Sequence, residues 1–298
     1  MNHKFYKFKV GAFQCIAVSD GGLNYPVDLF FYNAPIEEVK SALRQRNLPT
    51  EYIFTPYTCL FINTGQHRVM IDTGAGDIAK EAPKYFPDID NSASMTGRLI
   101  ENLSAAGQNP AGIDTVIITH AHPDHVAGTL TTDGELAIKN AQYYITRKEY
   151  EFWTSPEAEM AASPSMVETA RRYLTPLEGR LTLLKGSEEI LPGISITPSF
   201  GHTPGHIAVL VSSAGQELLH IADTALYPLH LEYPHWQPGL DISPEEAAKS
   251  KQRIFDQAAE LEALVFAHHY PPFPNLGHVK KKAIGWEWLP VEATKRAS

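Results

Sequence analysis

The stretch VIITHAHPDHVAGTL, residues 116–130, sets His120, His122, Asp124 and His125 within six positions, directly after a β-branched run that reads as a buried strand. Taking that many polar groups out of water without partners costs roughly 1–3 kcal/mol each. Either the segment is a polar loop in solvent, or it binds something at a strand end. In an extended segment alternate side chains share a face, so His120 and His122 reach one ion. Pro123 has a stiff φ, and the chain turns at Asp124 so that His125 points elsewhere, which lets one segment serve two metals. A mixed nitrogen and oxygen donor set suits Zn²⁺, Fe²⁺, Mn²⁺ or Co²⁺ better than Ca²⁺ or Mg²⁺.

Four other segments repeat the same placement. MIDTGAGD (70–77), PSFGHTPGH (198–206), HIADTAL (220–226) and LVFAHH (264–269) each put a His or Asp just past an apolar run. In α/β sheets such strand ends line one crevice, so five segments far apart in sequence are expected to converge. His202 sits in a turn framed by Gly201 and Gly205 and reads as a ligand, whereas His206 heads the next apolar run and reads as structural support. Asp223 at the mouth of a buried strand reads as a bridging carboxylate, with a helix N-cap as the alternative. His268 completes the second ion's shell, with the adjacent His269 as the alternative. Asp72 reads as the carboxylate that orients a ligating imidazole. Its loop lacks GxGxxG and a Lys-Ser/Thr pair, so no nucleotide site is expected. The remaining histidines, 3, 67, 220, 230, 235 and 278, have no ligand spacing.

Around these segments short strands alternate with amphipathic helices and no repeat intervenes, which predicts an α/β protein with residues 1–298 as a single domain. Strands are expected at 7–18, 57–63, 67–73, 141–146, 181–184, 193–199, 206–213 and 216–222, with helices over 34–47, about 92–107 and 163–178. A further helix begins at Ser243 as cap, Pro244 at the first helical position and Glu245 and Glu246 in the first turn. The formal charge of −9 over 298 residues, with no basic stripe beyond Lys280–Lys282, argues against nucleic-acid or anionic-membrane partners. Cys15 and Cys59 lie in apolar stretches and read as buried thiols. The first residues lack a secretory h-region and no apolar run spans a membrane, so a cytoplasmic location is expected. General prevalence of two-fold oligomers points to a homodimer.

Taken in order, DTG at 72–74, HAHPDH at 120–125, His202 in GHTPGH, Asp223 in IADT and FAHH at 266–269 resemble the metallo-β-lactamase fold superfamily, over about residues 10–270. The resemblance implies a four-layer αββα sandwich with a dinuclear site at one edge. Carried over residue by residue, it implies that His120, His122 and His202 hold one ion, Asp124, His125 and His268 the other, and Asp223 bridges both. Within the superfamily, the tail FAHHYPPFPNLGHVKKKAIGWEWLP and the segment following Asp223 resemble the branch of N-acyl-homoserine lactonases and methyl parathion hydrolase. Those lactonases place a Tyr three residues after the bridging Asp, where this chain has Leu226 and then Tyr227. The implied activity is hydrolysis by a hydroxide bridging two divalent ions, zinc first and Mn, Co or Fe as alternatives. Asp124 or a metal-bound water is expected to protonate the leaving group, and Tyr227 to add an oxyanion donor. No Arg or Lys lies within the five motifs, so the expected substrate is a neutral lactone or carboxylic ester, with slower phosphotriester turnover. A glyoxalase II-like thioesterase and a mononuclear-iron persulfide dioxygenase are the competing readings.

Overall fold

The computed structural model describes residues 5–77 and 90–291. The first half builds one mixed sheet from β1 (Phe5–Val10), β2 (Phe13–Pro26), β3 (Tyr52–Asn63), β4 (Arg68–Ile71), β5 (Asp90–Met95), β6 (Thr115–Ile117), β7 (Gln142–Thr146) and β8 (Leu181–Leu184). Their order is β1-β2-β3-β4-β6-β7-β8, with β5 paired to β2. The second half builds another from β9 (Glu188–Leu191), β10 (Ile194–Pro198), β11 (Ile207–Ser213), β12 (Gln216–Ala222), β13 (Leu264–Ala267), β14 (Leu276–Lys281) and β15 (Trp286–Pro290), in unbroken reverse order from β15 to β9.

The period-two alternation of strand side chains explains why these sheets stack. On β3, Leu60 and Ile62 face the second sheet and join Ile196, Val209, Val211 and Phe266 in an inter-sheet core. Cys59 and Phe61, one residue out of phase, face away into a core shared with the helices Ile36–Gln45, Leu99–Ala105 and Pro164–Leu174. A third core packs Leu219, Ile221 and Val265 of the second sheet against Ile254, Phe255 and Ala258 of the helix Pro244–Glu260. Helix, sheet, sheet and helix therefore form the expected αββα sandwich. Cys15 and Cys59 are both buried and free, and lie on opposite faces of the first sheet.

Several element boundaries differ from the sequence expectation. The strand expected at 7–18 is a hairpin: the chain turns at Gly11, with φ +55° and no room for a Cβ, which would stand 2.0 Å from the Ser213 carbonyl oxygen. The helix expected from about residue 92 starts at Leu99, because Asp90–Met95 pairs as β5 along β2 instead. Ser243 occupies the N-cap position of its helix but makes no side-chain capping bond; Pro244, Glu245 and Glu246 stand where expected. The helix Arg147–Thr154 and strands β9, β14 and β15 were not anticipated. Each is short, and on β14 the buried residues amount to Leu276, Gly277 and Val279, too few to register as a pattern.

Candidate metal centre

Strands β4, β6, β10, β12 and β13 run so that their C-terminal ends open on one edge of the sandwich. The expected convergence is present: Asp72, His120–His125, His202, Asp223 and the pair His268–His269 meet there, all buried except Asp124, which is partly exposed. A backbone bond from Ile207 N to Thr119 O (3.2 Å) joins the two sheets at this edge, as does Thr58 N to His268 O (3.2 Å).

Asp223 is central to the geometry. Its Oδ2 lies 3.2 Å from His202 Nε2 and 3.7 Å from His120 Nε2, and its Oδ1 lies 3.2 Å from His125 Nε2 and 3.3 Å from His269 Nε2. The two carboxylate oxygens thus address two separate clusters. In the first, His122 Nδ1 stands 2.8 Å from His202 Nε2; with His120 and Asp223 these ligand atoms all lie within 4.8 Å of one another. In the second, Asp124 Oδ2 lies 3.3 Å from His269 Nε2 and 3.9 Å from His125 Nε2, and His268 completes a group within the same 4.8 Å span. The two neighbouring histidines are not equivalent. His268 stacks 4.0 Å from the His125 ring and near Tyr57, and neither of its nitrogens has a hydrogen-bond partner. His269 turns Nε2 to both carboxylates while Nδ1 meets the Pro56 carbonyl oxygen at 3.1 Å. Both neighbours belong to one group of candidate ligands with Asp124 and His125, and of the two it is His269 that faces the carboxylates.

The donor set fits divalent ions. His120 Nε2, His125 Nε2 and Asp223 Oδ1 are buried and lack hydrogen-bond partners, a situation that costs roughly 1–3 kcal/mol per atom unless a cation accepts their lone pairs. Supporting bonds fix the rings. Asp72 accepts from Thr119 N (2.8 Å) and Thr119 Oγ1 (2.9 Å) and pairs with His125 Nδ1 at 2.8 Å, as anticipated. Asp241 does the same for His202 Nδ1 at 2.8 Å; sequence reasoning missed it because it lies 39 positions away in a loop. His206 donates Nδ1–H to Ser199 O (2.7 Å) and accepts Asp223 N–H on Nε2 (3.0 Å), so it holds the backbone beneath the central carboxylate. Burial pushes His206 down to about 3, consistent with a neutral ring between a carbonyl and an N–H. Burial alone would raise the Asp223 carboxyl, but the neighbouring His269 and His125 imidazoles hold it well below the usual range.

Beside the clusters lies a largely apolar cavity lined by Leu23, Phe30, Met166, Leu226 and Leu240, with His122, Asp124, Asp223 and His269 at its inner end. Tyr25 and Tyr57 line it too, their hydroxyls bonded to each other. Tyr227 is placed elsewhere: it packs edge-on against Phe31 in the helix-side core, and burial pushes its hydroxyl up to about 12. The oxyanion role expected of it has no geometric support, because the neighbouring Leu226 is the residue that faces the cavity.

The sequence profile of the Metallo-beta-lactamase superfamily matches residues 52–269. An N-acyl homoserine lactonase of Bacillus cereus is 22% identical over 236 residues, covering 77% of this chain and 87% of the relative. The N-acyl homoserine lactonase AttM of Rhizobium radiobacter is 24% identical over 230 residues, covering 71% and 80%. Among solved structures, AidC, a dizinc quorum-quenching lactonase in complex with a product, superposes with a TM-score of 0.87 at 25% identity, over 96% of this chain and 97% of its own. The hydrolase AbOPH superposes with a TM-score of 0.85, also at 25% identity, over 98% of both chains.

Proposed function

The chain belongs to the metallo-beta-lactamase superfamily, and from that membership and the geometry of the centre we propose that it is a dinuclear-metal hydrolase of neutral lactones or carboxylic esters. The observation that carries the reading is the division of Asp223, one oxygen toward His120 and His202 and the other toward His125 and His269. A mononuclear site would leave one of these oxygens and its two imidazoles without a purpose. On this reading His120, His122 and His202 hold the first ion, Asp124, His125 and His269 the second, and Asp223 both, with His269 in the place expected of His268. The nitrogen-rich set suits zinc, with manganese, cobalt or iron as alternatives. Bound there, two such ions supply Lewis acidity and activate water at neutral pH.

The chain's own residues define the rest. The apolar walls formed by Leu23, Phe30, Met166, Leu226 and Leu240 exclude water and accommodate an acyl chain. Among the described residues lining the cavity there is no lysine or arginine, which favours a neutral substrate over an anionic one. Tyr25 and Tyr57 bond hydroxyl to hydroxyl on the cavity wall, with the Tyr57 ring 5.6 Å from His269; the Tyr57 hydroxyl donates to the substrate carbonyl oxygen when it is the acceptor of that pair. Asp124 lines the same cavity and passes the proton taken from water to the leaving oxygen. The lactonase relatives support a lactone over other esters. Elemental analysis of the purified chain combined with kcat/KM for acyl-homoserine lactones, simple lactones, a neutral phosphotriester and a glutathione thioester tests the reading. Two equivalents of metal and a lactone preference are expected; one redox-active iron, or a tenfold preference for the thioester, would overturn it.

A further inference from the structure

Among the described residues, the buried carboxylate of Glu149 serves none of the roles above. Glu149 lies in the first turn of the helix Arg147–Thr154 and is fully buried, and among the described residues its partners are neutral donors rather than a lysine or arginine. Its Oε1 accepts Ala121 N–H at 2.9 Å and Trp153 Nε1–H at 2.7 Å; its Oε2 accepts Thr203 Oγ1–H at 2.7 Å and Gly205 N–H at 2.9 Å. Each of these donors belongs to something that positions a ligand of the first ion. Ala121 is the residue between His120 and His122. Thr203 and Gly205 follow His202 in its loop. Trp153 presents its ring edge-on to His122 at 5.7 Å. Each oxygen engages two partners, a pattern that a carboxyl group with two oxygens satisfies and an amide, with a single acceptor oxygen, does not.

The surrounding backbone is built for this contact. A Cβ on Gly205 would stand 2.2 Å from Glu149 N, so only glycine lets the His202 loop approach the start of this helix. Thr146, the N-cap, accepts Glu149 N–H (3.2 Å) and donates to the Gly205 carbonyl oxygen (2.7 Å). On its other side the loop is wedged against the second sheet's helix, where Gly201 has φ +126° and a Cβ would meet Ala247 N at 2.0 Å. None of the four bonds to Glu149 reaches Asp124, His125, His268 or His269. The second cluster is held instead by Asp72, through His125, and by the Pro56 carbonyl, through His269.

We propose that Glu149 is a positioning residue for the first metal site alone: its carboxylate sets the distance between the His120–His122 segment and the His202 loop, and so governs the affinity of one ion of the pair. The inference rests on the ligand assignment of the proposed function, and its test separates the two. The chains His269→Ala and His202→Ala are each prepared and their metal content measured; on that assignment each keeps one equivalent of zinc, at the first and second site respectively. Two equivalents in both would overturn the assignment and this inference with it, before Glu149 is altered. Glu149→Ala is then added to each, and zinc affinity is measured by competition with a chelator.

In the His269→Ala chain the affinity is expected to fall about 10–100-fold, the usual cost of losing a partner that orients metal ligands. In the His202→Ala chain it should change less than about twofold. Glu149→Gln keeps one oxygen as an acceptor for two of the four donors, so its loss should be intermediate. Equal losses at both sites, or no loss at the first, would overturn the inference, because a residue that merely stabilises the fold moves both ions alike. Should the Glu149 variants fail to fold, Thr203→Val leaves the carboxylate in place and cuts a single bond. It should then weaken the first site about threefold to tenfold, by the worth of one hydrogen bond, and no change there would count against the proposal.

Discussion

At the scale of single residues, the adjacent histidines at 268 and 269 give the sharpest contrast, since they share chemistry and sequence position but not environment. His269→Ala removes the nitrogen that faces Asp124 and Asp223 and is expected to release one of two metal equivalents. His268→Ala should retain both ions and instead leave a void between His125 and Tyr57, lowering stability by about 2–4 kcal/mol. Metal content and a urea melt on the two variants distinguish these outcomes. A second pair is read in kinetics. Tyr57→Phe should lower kcat about tenfold with little change in KM, as expected for a donor that strengthens in the transition state, while Tyr227→Phe should change neither. Equal effects would mean that the hydroxyl in the cavity does not touch substrate. The motif residues His120, His122, His125, His202 and Asp223 were legible because their chemistry is anomalous at the end of an apolar run. The choice between 268 and 269 was not, because neighbours on a strand end point to opposite sides and the sequence does not say which side faces the crevice.

Elements matter through what joins their ends. Asp20, midway along β2, accepts Ala75 N–H (2.8 Å) from the loop after β4 and Leu99 N–H (2.7 Å) from the start of the helix Leu99–Ala105. Gly74, at φ +76°, leaves room for the carboxyl, since a Cβ there would meet it at 2.7 Å. Burial pushes this carboxyl up to about 7, against the pull of its backbone donors. A folded-state value raised above the unfolded one means that the contribution to stability is fully present below about pH 4 and is lost as pH rises toward 7. In Asp20→Asn that part of the slope should vanish: the drop in unfolding free energy between pH 5 and pH 7.5 should be smaller than in the unsubstituted chain, by urea denaturation at each pH. An identical slope in both chains would show that Asp20 ionises normally. Sequence patterning gave no sign of Asp20, nor of Glu149 or Asp241, because the worth of a buried carboxylate depends on donors that only long-range pairing brings to it. The same cause shifted the start of the 92–107 helix, where pairing along β2 overrides the local pattern up to Met95.

At the scale of the whole molecule, the two sheets share one apolar core, and the metal centre closes the edge at which they meet. The first sheet contributes Asp72 and His120 through His125, and the second contributes His202, Asp223 and His269. An α/β protein was legible from short strands alternating with amphipathic helices, and the sandwich from the resemblance carried by the five motifs rather than from periodicity. The placement of β14 and β15 was not, because an edge hairpin with few buried side chains carries almost no periodic signal. A centre whose donors come from both sheets ties metal binding to the folded state, so ions that bind the native chain and not the unfolded one stabilise it by mass action. At free ion about a thousand times the dissociation constant this is worth about 4 kcal/mol for each ion, which for a chain of this size corresponds to a fall in melting temperature of roughly 6 °C per ion removed. Dialysis against a strong chelator followed by calorimetry should show that fall together with complete loss of hydrolysis, and reloading with zinc should restore both. A metal-free chain that melts at the same temperature as the loaded one would mean that the ions do not bridge the two sheets.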